Sequence, residues 1–451
     1  MPKQIMRSPP VRNHSTQASM ELPLASSNTF DWRSLPTTKV RRPSPSSPFS
    51  WTYTYTAFSP EFARAAIRQL WHRSSPLVLD PFLGSGTTMI AAYLEGARSY
   101  GIDISPFAAL LSRTRISTRG DQRQTKAYLK AKPIFTHSSP PLTAVLSPHD
   151  GAYVCGVIGK ICEARKLSGP ELWAKLLTDA VGEYDSEVIA IASLALAARV
   201  VAVVERGSNP IWYRPRSGVT ENSTSDRFRA ASEEIAEKII SDLASMPLNE
   251  RRFEIRNADL LHVKRVPKFD ICVTSPPYPN RLDYVVAHLP ELSVLQVLVA
   301  FSLDDLRKLM IGTTKIVGKF DSNVPQVWGE SGRRVMIAID SHSSYASKRY
   351  YYHTYYSYFD RLQASLVQLC NLMRKGAHGV IVLQDSFYKD IPIPTATICA
   401  EMLNHLKCSA EVVRSTSVHT HMGRLSPTQT TYAPNKQLSE SIVYFKAAGD
   451  Q

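Results

Sequence analysis

Two short segments of this sequence carry residue types that could do chemistry together. The first is Asp80-Pro81-Phe82-Leu83-Gly84-Ser85-Gly86-Thr87-Thr88. Gly84 and Gly86 allow a tight turn and let a ligand approach the main chain closely. A helix starting after such a turn aims unsatisfied N–H groups back into the same space. A lone pair of glycines is as often structural as functional. Context raises the value of this one, because Asp103 follows about 20 residues later, where an acidic side chain can accept hydrogen bonds from both ribose hydroxyls. The competing role for Asp103 is a helix cap, since Ser105-Pro106 comes next. No Gly-Lys-Ser/Thr follows the glycines, so the lysine of a phosphate-binding loop is missing. A nucleoside without phosphates fits better.

The second segment is Thr274-Ser275-Pro276-Pro277-Tyr278, directly after the apolar run Phe269–Val273. An exocyclic amine on a nucleobase is a poor nucleophile, because its lone pair is delocalised into the ring. Acceptors aimed at its N–H bonds would draw the nitrogen towards tetrahedral geometry and localise that pair. The Ser275 hydroxyl and the Pro276 carbonyl are two such acceptors. Pro276 and Pro277 fix φ and bring no N–H donor, so the acceptor geometry is stiff. Tyr278 offers an aromatic face for a displaced base. Reaching an amine inside a duplex requires flipping the nucleotide out. The alternative is a Pro-rich turn or an adaptor-domain ligand, against which stands the buried strand immediately upstream.

The elements that must position these segments are legible in outline. Pro76–Leu79 reads as a buried strand ending at Asp80. Thr87–Glu95 reads as a helix stopped by Gly96, and Ser99–Ile102 as a second strand ending at Asp103. Strand, glycine turn, helix and strand make a βαβ unit with parallel strands. Further strands are expected at Phe253–Ile255, Phe269–Thr274 and Gly379–Leu383. Ala410–Val418 and Ser441–Phe445 look like a terminal antiparallel pair. Upstream, Ser59 is the expected cap of a helix through about Leu70, with Pro60 its first residue. In an open α/β sheet, ligands lie outside the carboxyl ends of the strands. The glycine turn and the Ser-Pro-Pro-Tyr tetrad should therefore face one crevice. The expected fold is a doubly wound, mostly parallel Rossmann-like α/β sheet with an antiparallel terminal strand and a mainly helical insertion. Residues 49–104 and 251–451 form the expected catalytic domain, and 105–250 the insertion. Residues 1–48, rich in Pro, Ser, Thr and Arg, read as a disordered basic arm.

Composition narrows the partner class. The chain has 451 residues, 43% of them hydrophobic, and a formal net charge of +14. A basic balance suits a polyanion, because Lys and Arg on phosphates release condensed counterions. The six cysteines form no CxxC pair and no zinc-like spacing with histidine, so reduced thiols in a cytoplasmic protein are expected. The N-terminus shows no apolar core with a cleavage site. The longest apolar run, Val188–Val204, is interrupted by Arg199 and reads as a buried helix rather than a membrane span.

Taken together, DPFLGSGTT and TSPPY resemble the amino-methyltransferases of restriction–modification systems, which act on cytosine N4 or adenine N6 of DNA. The resemblance implies S-adenosyl-L-methionine as cofactor and double-stranded DNA as partner, with a cognate restriction endonuclease as a candidate second partner. By resemblance, Phe82, Gly84 and Gly86 belong to the methionine-side motif, in which Asp80 and Thr87 are also counted. Asp103 matches the ribose ligand, and Asp259 with Leu260 the position near the adenine ring. Ser275, Pro276, Pro277 and Tyr278 match the catalytic tetrad. A tetrad beginning with Ser is most often specific for cytosine N4, which makes a site-specific cytosine-N4 methyltransferase the expected activity. Adenine-N6 methylation, RNA base methylation and a silent DNA-binding relative stay open. Phe49–Leu70 resembles the family's helix that helps close the methionine pocket. In one branch of the family, the place of the 105–250 insertion holds the target-recognition region. Asp283 and Tyr284 could brace the base pocket, or Tyr284 could pack under the loop. Tyr345–Phe359 could stack on nucleic acid or pack on the sheet, and packing suits a helix before the Gly379 strand. Ile211–Arg216 could be a DNA-contacting loop or an ordinary solvated one.

Overall fold

Alternation of buried side chains explains how the sheet forms. In β1 (Leu77–Asp80) Leu77 and Leu79 join one apolar cluster while Val78 joins another. Successive strand residues point to opposite faces, so a strand buried on both sides reads as continuous apolar sequence. The computed structural model describes residues 30–39, 47–52, 58–134, 142, 145–179, 182–202, 204–206, 213–215, 225–247, 252–279, 282–313, 315–316, 323–418 and 438–448.

The chain runs through α1 (Pro60–Leu70), β1, α2 (Thr87–Leu94), β2 (Arg98–Asp103) and α3 (Pro106–Arg115). Ser59 caps α1 by accepting from the Phe62 N–H. Next come α4 (Gln122–Leu129), α5 (Pro148–Arg165), α6 (Gly169–Thr178), α7 (Asp185–Val201), the short pair β3 (Val204–Arg206) and β4 (Tyr213–Pro215), and α8 (Ser225–Ala244). The sheet resumes with β5 (Phe253–Asn257) and β6 (Phe269–Thr274). After α9 (Tyr284–Ala287), α10 (Leu289–Leu295), α11 (Leu303–Leu309), α12 (Gly329–Ser341) and α13 (Tyr352–Leu372) come β7 (Met373–Gln384), the hairpin β8 (Ser386–Tyr388) and β9 (Ile391–Ile393), α14 (Thr395–His405), β10 (Ser409–Val418) and β11 (Leu438–Lys446).

Seven strands form one sheet in the order β10-β11-β7-β6-β1-β2-β5. β5, β2, β1, β6 and β7 are parallel neighbours, and β11 is antiparallel to both β7 and β10. The fold is therefore a doubly wound, mostly parallel α/β sheet closed by the antiparallel pair anticipated from the sequence. The chain leaves β1 towards β2 and β5 on one side and returns through β6 and β7 on the other. That reversal puts a topological switch point between β1 and β6, where a crevice opens at the strand ends.

One face of the sheet carries α12, α13 and α14, with Leu77, Leu79, Phe269 and Cys272 in a shared apolar cluster. α1 and α2 cover Val78, Ile271, Val273 and Val380 on the other. The helices between β2 and β5 do not form a core of their own. They share one with Leu83, Met89 and Ile90 of the glycine-turn region and with Ile255 of β5. At its centre lies α7, whose residues Asp185–Ala198 are all buried. No helix among the described residues is long and apolar enough to cross a membrane.

Three sequence readings need revision or completion. Part of the 1–48 arm is folded: Phe30 and Trp32 lie 5.2 and 5.0 Å from the Tyr444 ring, and Leu35 is buried. The Arg414 guanidinium donates to the carbonyls of Leu35 and Pro36 at 2.6 and 2.7 Å. Three apolar residues spaced this loosely give no periodic signal, yet they suffice to cover β11. The rest of that arm, apart from 47–48, lies outside the described residues. In the tyrosine-rich stretch, Tyr352, Tyr355, Tyr356, Tyr358 and Phe359 are buried against the sheet, so packing is the observed role. Of Ile211–Arg216, only Tyr213–Pro215 is described, as β4.

Arg199, which interrupts the apolar run, closes an internal ion pair. Its guanidinium meets both carboxylate oxygens of Glu291, at 2.9 Å for the second, and the Ala287 carbonyl at 2.5 Å. Burial alone would raise the Glu291 carboxyl, but His288 and Arg199 hold it below its ordinary value. Removing one partner of a buried pair strands the other. Arg199→Met is expected to destabilise the chain by about 3–5 kcal/mol in urea unfolding, and a loss under about 1 kcal/mol, the range of exposed pairs, would show that Glu291 needs no partner.

Candidate active site

Geometry at the ends of β1 and β6 is set by short polar ties. The Thr274 hydroxyl at the end of β6 donates to Asp80 Oδ1 at the end of β1, at 2.6 Å. The Phe82 N–H donates to the same oxygen at 3.2 Å. The Thr88 hydroxyl, in the first turn of α2, donates to the Val273 carbonyl at 2.9 Å. Three bonds thus tie the glycine turn, α2 and the strand leading into the tetrad.

Within the turn the two glycines have different tasks. Both have left-handed backbones, with φ of +49° at Gly84 and +77° at Gly86. A Cβ on Gly86 would stand 2.6 Å from Ser112 Oγ, so this glycine is required by packing against α3. A Cβ on Gly84 would meet only the Phe82 carbonyl, at 3.7 Å. Gly84 therefore borders open space. Its N–H donates to Asp103 Oδ2 at 2.8 Å, and the Ser105 N–H donates to Asp103 Oδ1 at 2.8 Å. Each oxygen of Asp103 keeps further acceptor capacity. Burial raises the Asp103 carboxyl above its ordinary value, while the two amides and nearby His288 oppose the rise. The cap of α3 is Ser105, whose hydroxyl accepts from the Ala108 N–H. Asp103 is thus free of the capping duty that was its competing reading.

A single cavity joins these groups. From the sequence-predicted set it is lined by Phe82, Gly84, Thr87, Asp103, Asp259 and Leu260, together with Ser275 and Pro277. The glycine turn and the tetrad therefore open onto the same space. Asp259 also accepts from the Leu261 N–H at 3.0 Å and so caps the short turn Leu260–His262.

Four expected residues do not line it. Asp80 is 1% exposed and spends its carboxylate on Thr274 and Phe82, so it is a brace beneath the cavity rather than a ligand. Gly86 is occupied by packing. Pro276 lies off the lining. Tyr278 is buried in the apolar cluster on the α13 face, which leaves no open ring face for a displaced base. Burial pushes its phenol well above the ordinary tyrosine range. The Ser275 hydroxyl donates to the Tyr278 oxygen at 3.2 Å. With its proton so engaged, Ser275 presents lone pairs, as an acceptor must. The Pro277 carbonyl accepts from the Tyr358 hydroxyl at 3.0 Å, which anchors the tetrad to α13.

Phe58, within the Phe49–Leu70 segment expected to help close the pocket, lines the cavity. Part of the wall was not anticipated: Phe107, Met310, Arg361 and Ser365 also line it. Arg361 donates to the carbonyls of Lys308 and Leu309 at 2.9 and 2.8 Å, closing the end of α11. Tyr358, Arg361 and Ser365 are spaced three and four residues apart on α13, so they share a helix face. Polar residues at that spacing on a mostly buried helix were the available signal. Tyr284 and His288 line the cavity as well. Asp283 caps α9 and pairs with Arg307 at 2.7 Å, bracing the loop after the tetrad.

A family of N6/N4 DNA methylases matches residues 30–113, which include β1, the glycine turn, β2 and most of α3. The Type II methyltransferase M.AvaI of Nostoc sp. is 25% identical over 273 residues, 55% of this chain and 54% of that protein. The chain is thus similar to N6/N4 DNA methylases over residues 30–113 and to Type II methyltransferases over about half of its length. The Type II methyltransferase M.BsoBI of Geobacillus stearothermophilus is 24% identical over 282 residues, 55% of this chain and 52% of its own. M.MjaII of Methanocaldococcus jannaschii is 40% identical over 53 residues, 12% of this chain and 10% of its own. The matches thus span about half of the longer-matching relatives or less. Similarity to N6/N4 DNA methylases over residues 30–113 points to S-adenosylmethionine as the ligand to test against this cavity. The cavity suits a nucleoside: open space beside Gly84 and a carboxylate with unused lone pairs at Asp103.

Burial lifts the Asp80 carboxyl to about 6, against the hydrogen bonds from Thr274 and Phe82. A carboxyl raised in the folded state adds stability that is complete below its unfolded value and is lost as pH rises through the folded one. Asp80→Asn keeps the acceptor oxygen and removes the charge. Between pH 4 and 6 the natural chain is expected to lose on the order of 2–3 kcal/mol relative to Asp80→Asn, read from unfolding midpoints. Parallel pH profiles for the two proteins would refute the buried carboxyl.

Proposed function

We propose that this chain is a DNA methyltransferase that moves a methyl group from S-adenosylmethionine to the exocyclic N4 of a flipped cytosine. The observation that carries the reading is the shared cavity, with Gly84 and Asp103 on one side and Ser275 and Pro277 on the other. In this reading Asp103 holds the ribose hydroxyls, Asp259 and Leu260 border the adenine, and Phe82 and Gly84 border the methionine side. The donor, when bound, supplies an electrophilic sulfonium methyl. Ser275, on the cavity wall, accepts a hydrogen bond from the target amine and draws the lone pair onto nitrogen. Pro276 and Pro277 hold the backbone beside that acceptor stiffly, and Tyr358 anchors it through the Pro277 carbonyl.

Positioning dominates such an in-line transfer, so no strong base is called for. Tyr278 serves by accepting the hydrogen bond of the Ser275 hydroxyl. Base stacking falls instead to the rings that border the cavity, Tyr284 among them. The choice of N4 over adenine N6 rests on Ser275 opening the tetrad.

The test is expression in a host free of DNA methylation, followed by sequencing of its DNA for modified bases. N4-methylcytosine at a recurring site is the expected product. N6-methyladenine would overturn the cytosine assignment, and unmodified DNA with bound S-adenosylmethionine would overturn DNA as substrate. Ser275→Ala is expected to lower kcat by roughly 10²–10³-fold with unchanged cofactor affinity. Gly84→Val should abolish cofactor binding, because it adds a branched side chain at φ +49° beside the open space; unaltered cofactor titration in that variant would refute the crevice assignment.

A further inference from the structure

Two cysteines far apart in sequence meet behind α13. Cys370 lies in the last turn of α13, and Cys408 immediately precedes β10. Their sulfurs are 3.2 Å apart across a separation of 38 residues. That is about 1.2 Å beyond a disulfide bond length. Cys370 is partly exposed, whereas Cys408 is 2% exposed.

We propose that Cys370 and Cys408 form a redox-active thiol pair which a hydroperoxide converts to an intramolecular disulfide, clamping the end of α13 to the start of β10. The pair is distinct from the methyl-transfer site and does not rest on the function proposed above. The short contact lets one sulfur stabilise a thiolate on the other. That thiolate displaces hydroxide from the peroxide and becomes a sulfenic acid. The second thiol of the pair then attacks that sulfur, and water leaves with its proton. Two thiols and one hydrogen peroxide give one disulfide and two waters. The neighbouring Cys272 and Cys399 are fully buried, and burial raises both thiols, Cys399 to about 12. They stay protonated and unreactive.

The consequence falls on α13. That helix holds Tyr358 on the Pro277 carbonyl and carries Arg361 and Ser365 in the cavity wall. A covalent link at its end would limit how far it can shift.

The experiment treats the reduced, folded full chain with dilute hydrogen peroxide, then counts free thiols and digests with trypsin without reduction. The expected result is loss of two of the six thiols. The peptides Leu362–Arg374 and Cys408–Arg414 should be linked, and dithiothreitol should release them. In Cys370→Ser and in Cys408→Ser no such link should form, and in one of the two dimedone should trap a sulfenic acid on the remaining cysteine of the pair. An unchanged thiol count, or a link to any other cysteine, would overturn the proposal. The mapping on the natural chain stands by itself if either variant fails to fold.

Discussion

The rest of the structure depends on the hydrogen bond between Thr274 and Asp80, made where two adjacent parallel strands end. β1 and β6 are neighbours because the chain reverses its winding between them. Both deliver loops to the same edge of the sheet, and the Thr274–Asp80 bond fixes how those loops face each other. Asp80 is buried to do so, at the cost of an elevated carboxyl pKa. From there order spreads outwards: Phe82 bonds the same carboxylate, Gly84 bonds Asp103, and Asp103 reaches the cap residue of α3. Buried polar ties of this kind are costly if left half-made, and they specify one arrangement when complete.

The division of labour in the site follows from that frame. Residues that touch the cavity are held by residues that do not. Gly84 borders the space, whereas Gly86 makes close packing with α3 feasible. Ser275 lines the cavity, and Tyr278 accepts the hydrogen bond from its hydroxyl. Pro277 lines it, and Tyr358 grips its carbonyl. A motif of contiguous letters thus mixes working and supporting positions, which spacing alone cannot separate.

That mixture marks what was legible beforehand. The parallel strands, the glycine turn and the terminal antiparallel pair could be read because each leaves a local signature: an apolar run, a Gly turn, a cap at Ser59. The shared crevice followed from the rule on strand ends. Burial of Asp80 and Tyr278 was not legible, since it depends on β6 and on the α13 face, both remote in sequence. The wall residues Met310 and Arg361 were missed for the same reason. The merging of the 106–244 helices into a core with Leu83 and Met89 was also invisible, because helical periodicity says which face is buried and not against what. Likewise Phe30, Trp32 and Leu35 lie in a stretch whose composition reads as disorder, yet they pack on β11.

The most direct measurement is a crystal structure of the full chain with S-adenosylhomocysteine bound. The ribose is expected on Asp103, the amino-acid end beside Gly84, and the sulfur towards Ser275 and Pro277. Ligand density elsewhere, or a thioether turned away from Ser275, would contradict it.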